Sequence, residues 1–590
     1  MSLNTNLRFF LWALFAMALL VNYQIWTREF PAAQPVPTRA AGTSSAAPSL
    51  GSSAPTAGAP SAGSAAAPGS GGAASAAGAG TAATAAGTAA GAAVGAGASL
   101  ATAGSAAVSA EAGAPSVQLH TDVLDLSVSL VGGDLTGARL LAYPQQKNQP
   151  GNPVVLLQTG SPVFEVQGGL AGTSGESAPT HLARYTSPIR ELTLAPGQDT
   201  LSLPLTWSDG HGLTVTKTLT LHRGSYVVDV TYRIDNAGSS AWSFAPYAQI
   251  LRYNTPVHHS YFNPSSYAYK GPAYYDGSRF EKINFQKGAM LDQTVRGGYL
   301  AALEPYFMAA ILPPASQSFQ FSLQSQGDEF LLKAVGPTRS VAPGGTASVG
   351  NQLFIGPKLQ TTLDRIHKGL ALVADYGALT FLAKPLFQLL ERVERLFGNW
   401  GFAIIFVTFL IKLVLYPLSE ASYRSMAKMK TLTPRLNNLR ETYKDDREKL
   451  NQAMMDLYKR EKINPLAGCL PMVIQVPVFF AWYWVLRDSV ELRQAPFAFW
   501  INDLSARDPY FVLPAIMAAV MFVQTRYFSA PVGDPTQQKL MLFMPVAMSA
   551  TFAFFPAGLV LYYVTNTVLT VLQQWSINRR MEANAARARR

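Results

Sequence analysis

Three hydrophobic patterns follow one another along the 590 residues. The first is an unbroken apolar run, FFLWALFAMALLV from Phe9, inside the stretch Leu7–Trp26. About 20 apolar residues cross a ~30 Å hydrocarbon core, so residues 1–30 read as a membrane anchor with Trp26 at the interface. A cleaved signal peptide is the competing reading, because the run is short and Ala32 and Ala33 follow it. Near Val117 the pattern becomes alternation: VLDLSVSL from Val123, VVLLQ from Val154, PVFEV from Pro162, TLSLPLTW from Thr200, LTVTKTLTL from Leu213, SYVVDVTYRI from Ser225, FSLQ from Phe321 and EFLLKAV from Glu329. Turn formers punctuate these segments, including Asp209–Gly210 and Gly344–Gly345. Many short strands between such turns predict a β-sandwich over residues 116–365.

From Asp375 the period turns helical. Leu382, Leu386, Leu389, Leu390, Val393 and Phe397 make one face of a predicted amphipathic helix within 366–398, and Glu391, Arg392, Glu394 and Arg395 make the other. Pro385 breaks or starts that helix. It reads either as a helix lying in the membrane interface or as a soluble helix packed on the sandwich. Four apolar blocks follow, Gly401–Leu418, Leu466–Leu486, Phe511–Phe528 and Leu540–Leu572. The last is too long for one crossing and holds Pro556–Ala557–Gly558 at its middle, a turn signal. Residues 399–580 therefore read as five spans, six with the anchor. Residues 420–463 between the first two blocks read as a helical hairpin, Tyr423–Glu441 and Arg447–Lys462, turning at Lys444–Asp446.

Composition adds two limits. Residues 31–115 are almost entirely Ala, Gly, Ser, Thr and Pro, which bury too little side chain to offset ordering entropy, so they form a tether. The single cysteine, Cys469, excludes a disulfide framework and a Cys-rich zinc site. His258–His259 is the nearest metal candidate, yet neighbours on a strand face opposite ways, so no metal or cofactor is expected.

Charge sets the orientation. The net charge of +11 is concentrated beside the spans, with eleven Lys and Arg in 420–463 and five from Arg579 to the end, through the basic tail 581–590. The segment Asp488–Tyr510 holds only Arg493 and Arg507. By the positive-inside rule the hairpin and both termini are cytoplasmic, and the sandwich is outside. No direct, sequence-specific nucleic-acid partner is needed to explain the charge.

The chemistry lies inside the third pattern. Lys412 sits in GFAIIFVTFLIKLVLYPL, where a buried charge costs roughly 2.5–3.5 kcal/mol on insertion scales. Its long stem allows the ammonium to snorkel to the interface. Thr408 lies one turn away on the same face. Gln475 lies at a similar depth in the next span, and Tyr562, Tyr563, Asn566, Thr570, Gln573 and Gln574 step along the last one. Either these groups line a shared hydrated groove or they only bond helix to helix. No Asp or Glu lies in any span and no phosphate-binding G-x-x-x-x-G-K-[ST] occurs, which argues against proton-coupled transport and an ATP site of that type. A solute channel and a carbohydrate-active enzyme in the sandwich remain as alternative functions.

The runs NWGFAIIFVTFLIKLVLYPL, YRSMAKMKTLTPRLNNLRE, NPLAGCLPMVIQVPVFFAWYWVLRDSVELRQAPFAFWINDLSARDPY and FPAGLVLYYVTN resemble the Oxa/Alb/YidC membrane-insertase family. Shorter matches fall at Pro305–Phe307, Gly356–Lys358 and Asp375–Gly377. The resemblance implies an α-helical polytopic inner-membrane protein with a five-helix core and a periplasmic galactose-mutarotase-like β-supersandwich. It implies a non-enzymatic insertase and chaperone with a groove open to cytosol and lipid. Lys412 and Thr408 match the groove cation and its neighbour, and Gln475, Tyr562, Tyr563, Asn566, Thr570 and Gln573 fall on the client-contacting spans. In the hairpin, Arg424, Lys428, Met429 and Arg435 are the expected recruiting residues. The implied partners are nascent membrane proteins, the Sec translocon, the signal recognition particle receptor, ribosomes and the bilayer. Gram-negative relatives usually carry Arg where this chain has Lys412, and a buried lysine, unlike arginine, can lose its proton.

Overall fold

The computed structural model describes residues 114–588 apart from 173–176, 256–267, 375, 377–378, 444–445, 462–469 and 529–534. The predicted anchor, most of the tether, His258–His259 and Cys469 fall outside these residues.

The alternating segments become strands of two facing sheets, one of eleven strands and one of eight. In the smaller sheet Thr200–Ser208, Leu213–His222, Val227–Asn236 and Thr346–Pro357 pair antiparallel in succession. In the larger, Trp242–Tyr253 pairs antiparallel with Phe164–Gly172 on one side and Glu329–Val335 on the other. Every second residue of Leu213–His222 is buried, which places Leu213, Val215, Lys217, Leu219 and Leu221 on the inner face. Trp242–Tyr253, Tyr299–Leu303 and Phe307–Leu312 are covered on both faces, so they carry no alternation; the last two are apolar throughout, and the first buries Gln249 and Arg252 among its apolar residues.

Ten helices follow or flank the sandwich among the described residues. They are α1 (Gln360–Ile366), α2 (Thr380–Phe397), α3 (Trp400–Val414), α4 (Tyr416–Thr431), α5 (Thr433–Thr442), α6 (Arg447–Arg460), α7 (Leu470–Asp488), α8 (Val512–Phe528), α9 (Pro535–Phe552) and α10 (Ala557–Ala588). On α2 the buried face is Ala383, Leu386, Phe387, Leu390 and Val393. These side chains join the core of the helical bundle and not that of the sandwich. Phe387 belongs to the face, whereas Phe397 is half-exposed because α2 stops there at Gly398, whose φ of +62° favours glycine. Pro385 is accommodated within the helix.

The predicted helix Tyr423–Glu441 is two helices. Pro434 lies in the first turn of α5, where its missing N–H costs nothing, and the chain breaks just before it. The predicted turn in the long last block appears between α9 and α10. No single described helix is long and apolar enough to cross a membrane, but α3 and α4, bent by 68°, are so together by length and composition. The count of six spans therefore stands on the sequence pattern.

Candidate functional site

Asn399 caps α3, its side chain accepting from the N–H groups of Gly401 and Phe402. Gly401 is required there, since a Cβ would meet the ring of Phe497 at 2.0 Å. One helix length on, the last turn of α3 carries Lys412, and the chain then bends into α4. At the bend a small recess lies between α3, α4, α7 and α10. Its polar lining is Thr408, Lys412, Ser419, Gln475, Tyr562 and Asn566, and Ile411, Leu415, Leu418 and Ile474 complete the wall.

Lys412 is 9% exposed, and its stem does not run out to solvent. The ammonium donates to Thr570 Oγ1 at 2.7 Å, and that hydroxyl donates onward to the carbonyl of Asn566 at 2.7 Å. No carboxylate acts on this ammonium among the described residues. Thr408 spends its hydroxyl proton on the carbonyl of Ile404, 2.6 Å away. The Gln475 amide donates to the Tyr562 hydroxyl. Beyond Tyr562 the recess ends against apolar packing. The Tyr562 ring stacks on Trp482 at 5.1 Å, and Ile404, Val407, Val485 and Val560 are fully buried beside them. Gly558 permits this closeness, with Leu504 O only 3.1 Å from where a Cβ would stand.

The structure thus brings Lys412, Thr408, Gln475, Tyr562, Asn566 and Thr570 together. Tyr563 points elsewhere, packing edge-on against Phe479 and against Phe552 in the apolar core. Adjacent helical residues diverge by about 100°, so Tyr562 and Tyr563 cannot share a face. Gln573 is half-buried and its Oε1 has no hydrogen-bond partner among the described residues. Two contributors come from α4. Ser419 lines the recess, and the buried Tyr423 lies close to Thr570 and Gln574. Part of the signal was in the spacing, because Ser419 and Tyr423 are one helical turn apart on α4; the bend after Val414 hid their relation to Lys412.

On the hairpin, Arg424 pairs with Glu420 along α4, and Arg435 reaches Glu461 at 2.6 Å just past α6. Lys428 is exposed and Met429 half-buried. Leu432 and Leu436 pack with Met454, Leu457 and Tyr458 as the hairpin's own small core.

The chain matches a family model described as the 60Kd inner membrane protein over residues 392–584, and another described as the YidC periplasmic domain over 116–389. It is 46% identical over 476 residues to the membrane protein insertase YidC of Methylococcus capsulatus, covering 80% of this chain and 87% of that one. The corresponding protein of Thioalkalivibrio sulfidiphilus is 44% identical over 478 residues, covering 79% and 85%. A crystal structure of an active YidC insertase covers 78% of this chain and 91% of its own, at 18% identity and a TM-score of 0.35.

Proposed function

The chain belongs to the YidC family of membrane protein insertases, and from that premise we propose that it inserts nascent inner-membrane proteins through the recess around Lys412. The family is one of insertases and not of enzymes, which sets aside a carbohydrate-active role for the sandwich.

The observation that carries the reading is the under-coordinated ammonium. Lys412 is held in a recess with one hydroxyl partner and no opposing carboxylate among the described residues, inside a bundle whose outer faces are apolar. A client's polar or acidic segment entering the recess exchanges water for Lys412, Gln475 and Asn566, which lowers its desolvation cost. The apolar packing beyond Tyr562 stops it, and the client's apolar span moves sideways into lipid. Exposed apolar residues on α3 and α7, such as Leu413, Val473 and Val476, fit such a lateral route. The hairpin would meet clients first, through Arg424, Lys428, Met429 and Arg435. The termini and hairpin lie in the cytosol and the sandwich in the periplasm, as the Lys and Arg distribution supports. The Sec translocon, the signal recognition particle receptor and the ribosome are the proposed delivery partners.

Site-specific crosslinking of a stalled nascent chain tests this. Probes at Gln475 and Asn566 are expected to capture the client, and a probe at Tyr563 to capture it far less. Equal yields from all three positions would remove the recess from the path. Selective solute flux through proteoliposomes, without client insertion, would overturn the insertase reading in favour of a channel.

A further inference from the structure

We propose that the loop joining α7 to α8, residues 489–511, is a two-sided bracket: its aromatic tip is seated in the lipid leaflet nearest the sandwich, and its other side grips the sandwich. The proposal needs only that the bundle lies in a membrane, not that the recess handles clients.

The tip is the turn Ala498–Ile501, closed by the Ile501 N–H donating to the Ala498 carbonyl at 3.1 Å. Phe499 is its second residue, with φ of +55° and 90% of its surface exposed. That left-handed conformation is usually given to glycine, asparagine or aspartate, and a bulky residue is strained in it. In water, this turn would hold strain and also present an apolar ring to solvent. In lipid the second cost disappears. Phe511 repeats the arrangement at the start of α8, with φ of +56° and 44% exposure, and Tyr510 beside it is 70% exposed.

The tip is fixed in place. Trp500 stacks on Phe499 with centroids 5.9 Å apart, and its indole donates to Asp508 Oδ1 at 3.0 Å. Asp508 is fully buried and accepts from the Leu513 N–H at 2.7 Å. The level of the tip is set by Phe497, which meets Phe402 in the first turn of α3 at 5.3 Å. From that level the exposed apolar rows continue down the helices, through Phe406 and Phe409 on α3 and Ile516 and Val523 on α8. Aromatic rings at the head of such rows match the interfacial belt of a bilayer. This continuity favours lipid over a soluble partner.

The opposite side of the loop holds the sandwich. Arg493 donates to the Pro144 carbonyl at 2.8 Å and lies over the Phe307 ring at 5.6 Å. Gln494, itself at φ of +59°, donates from its side chain to the same carbonyl at 3.0 Å. Lys147 donates to the Asn502 carbonyl at 2.6 Å. A single loop thereby ties the height of the sandwich to the membrane surface.

Fluorophore labelling of the full chain tests the bracket. In a Cys469→Ser background, Phe499→Cys carries an environment-sensitive dye, Tyr510→Cys supplies a second tip position and Asn502→Cys is the control. The protein is reconstituted in phosphatidylcholine–phosphatidylglycerol vesicles containing lipids with a nitroxide high on the acyl chain. Both tip labels are expected to lose most of their emission to the nitroxide lipid and little to aqueous iodide, with the reverse at Asn502. Iodide quenching at both tip positions would overturn the proposal. So would shielding from both quenchers, which would mean protein covers the tip.

Discussion

Two buried lysines, one in the sandwich and one in the bundle, are handled in opposite ways. Lys217 lies on the inner face of Leu213–His222 and is 3% exposed. Its ammonium donates to the carbonyls of Gly132 and Gly168 at 2.8 and 3.0 Å and stands 3.8 Å from Asp134. Asp134 in turn accepts from the Gly168 N–H at 3.0 Å. Burial pushes the lysine down and the carboxyl up, each opposed by the charge of the other. Among the described residues Lys412 has one hydroxyl partner, and it faces the recess. Lys217 is saturated by the fold, whereas Lys412 keeps capacity to spare, as its proposed role of meeting a client requires.

The largest test of that contrast is to strip each lysine of its surroundings. Asp134→Ala leaves Lys217 facing carbonyls without its counter-charge, and removing one partner of a buried pair typically costs about 3–5 kcal/mol. Chemical denaturation followed by hydrogen exchange in the sandwich strands should show that loss. Lys412→Met should leave bundle stability within about 1 kcal/mol of wild type, since no buried counter-charge is orphaned. A bundle destabilised as strongly as the sandwich would make Lys412 a structural cation like Lys217.

Glu165 sharpens the sandwich side through pH. It is 3% exposed, and burial pushes its carboxyl up to about 7, against a smaller opposing effect from the Gln167 amide at 3.3 Å. The folded state therefore holds this proton more tightly than the unfolded chain, where a glutamate carboxyl has its ordinary value of 4.5. Stability falls as pH rises from about 4.5 through about 7 and is flat beyond, a loss of roughly 3 kcal/mol at most. Glu165→Gln is expected to raise the sandwich's melting temperature at pH 8 and to leave it unchanged at pH 4. Equal gains at both values would show that the carboxyl does not titrate across this range.

On the bundle side, Lys412→Arg keeps a permanent positive charge and is expected to preserve insertion, whereas Lys412→Glu reverses the charge. Clients with acidic leading segments should insert about tenfold less with the Glu variant, equivalent to ~1.4 kcal/mol, and neutral clients should change less. Insertion yield into inverted vesicles reads both. Matching losses for acidic and neutral clients would show that the recess acts by shape and hydration and not by charge.

How much of this was visible beforehand differs between the two regions for a physical reason. Strands with one face toward the other sheet and one toward water, such as Thr200–Ser208, announce themselves by alternation. Trp242–Tyr253 does not, because both of its faces are covered. Lys217 occupied the apolar phase of LTVTKTLTL in plain view, yet its carboxylate partner lies 83 positions earlier, in the turn before the strand Leu135–Pro144 of the other sheet. In the bundle, polar residues in apolar spans stand out singly, so Lys412, Thr408, Gln475 and Asn566 were legible. Which of two neighbours faces the recess was not, and Tyr563 fell on the wrong side. The grip of Arg493 and Gln494 on Pro144 was illegible too, since contacts to backbone carbonyls leave no trace in residue type.

The smallest expected effect separates the partner of Lys412 from the recess itself. Thr570→Val keeps the shape and removes the hydroxyl that accepts from the ammonium, along with the bond to the Asn566 carbonyl. A neutral hydrogen bond contributes about 0.5–1.5 kcal/mol and one to a charged group somewhat more. The bundle should therefore lose about 1 kcal/mol, visible as a modest fall in unfolding midpoint. Insertion should be retained or slightly raised, because the freed ammonium has one more donor for the client. If Thr570→Val abolishes insertion while the bundle stays folded, the hydroxyl is itself part of the client path. Lys412 would then be poised by Thr570 and not merely held by it.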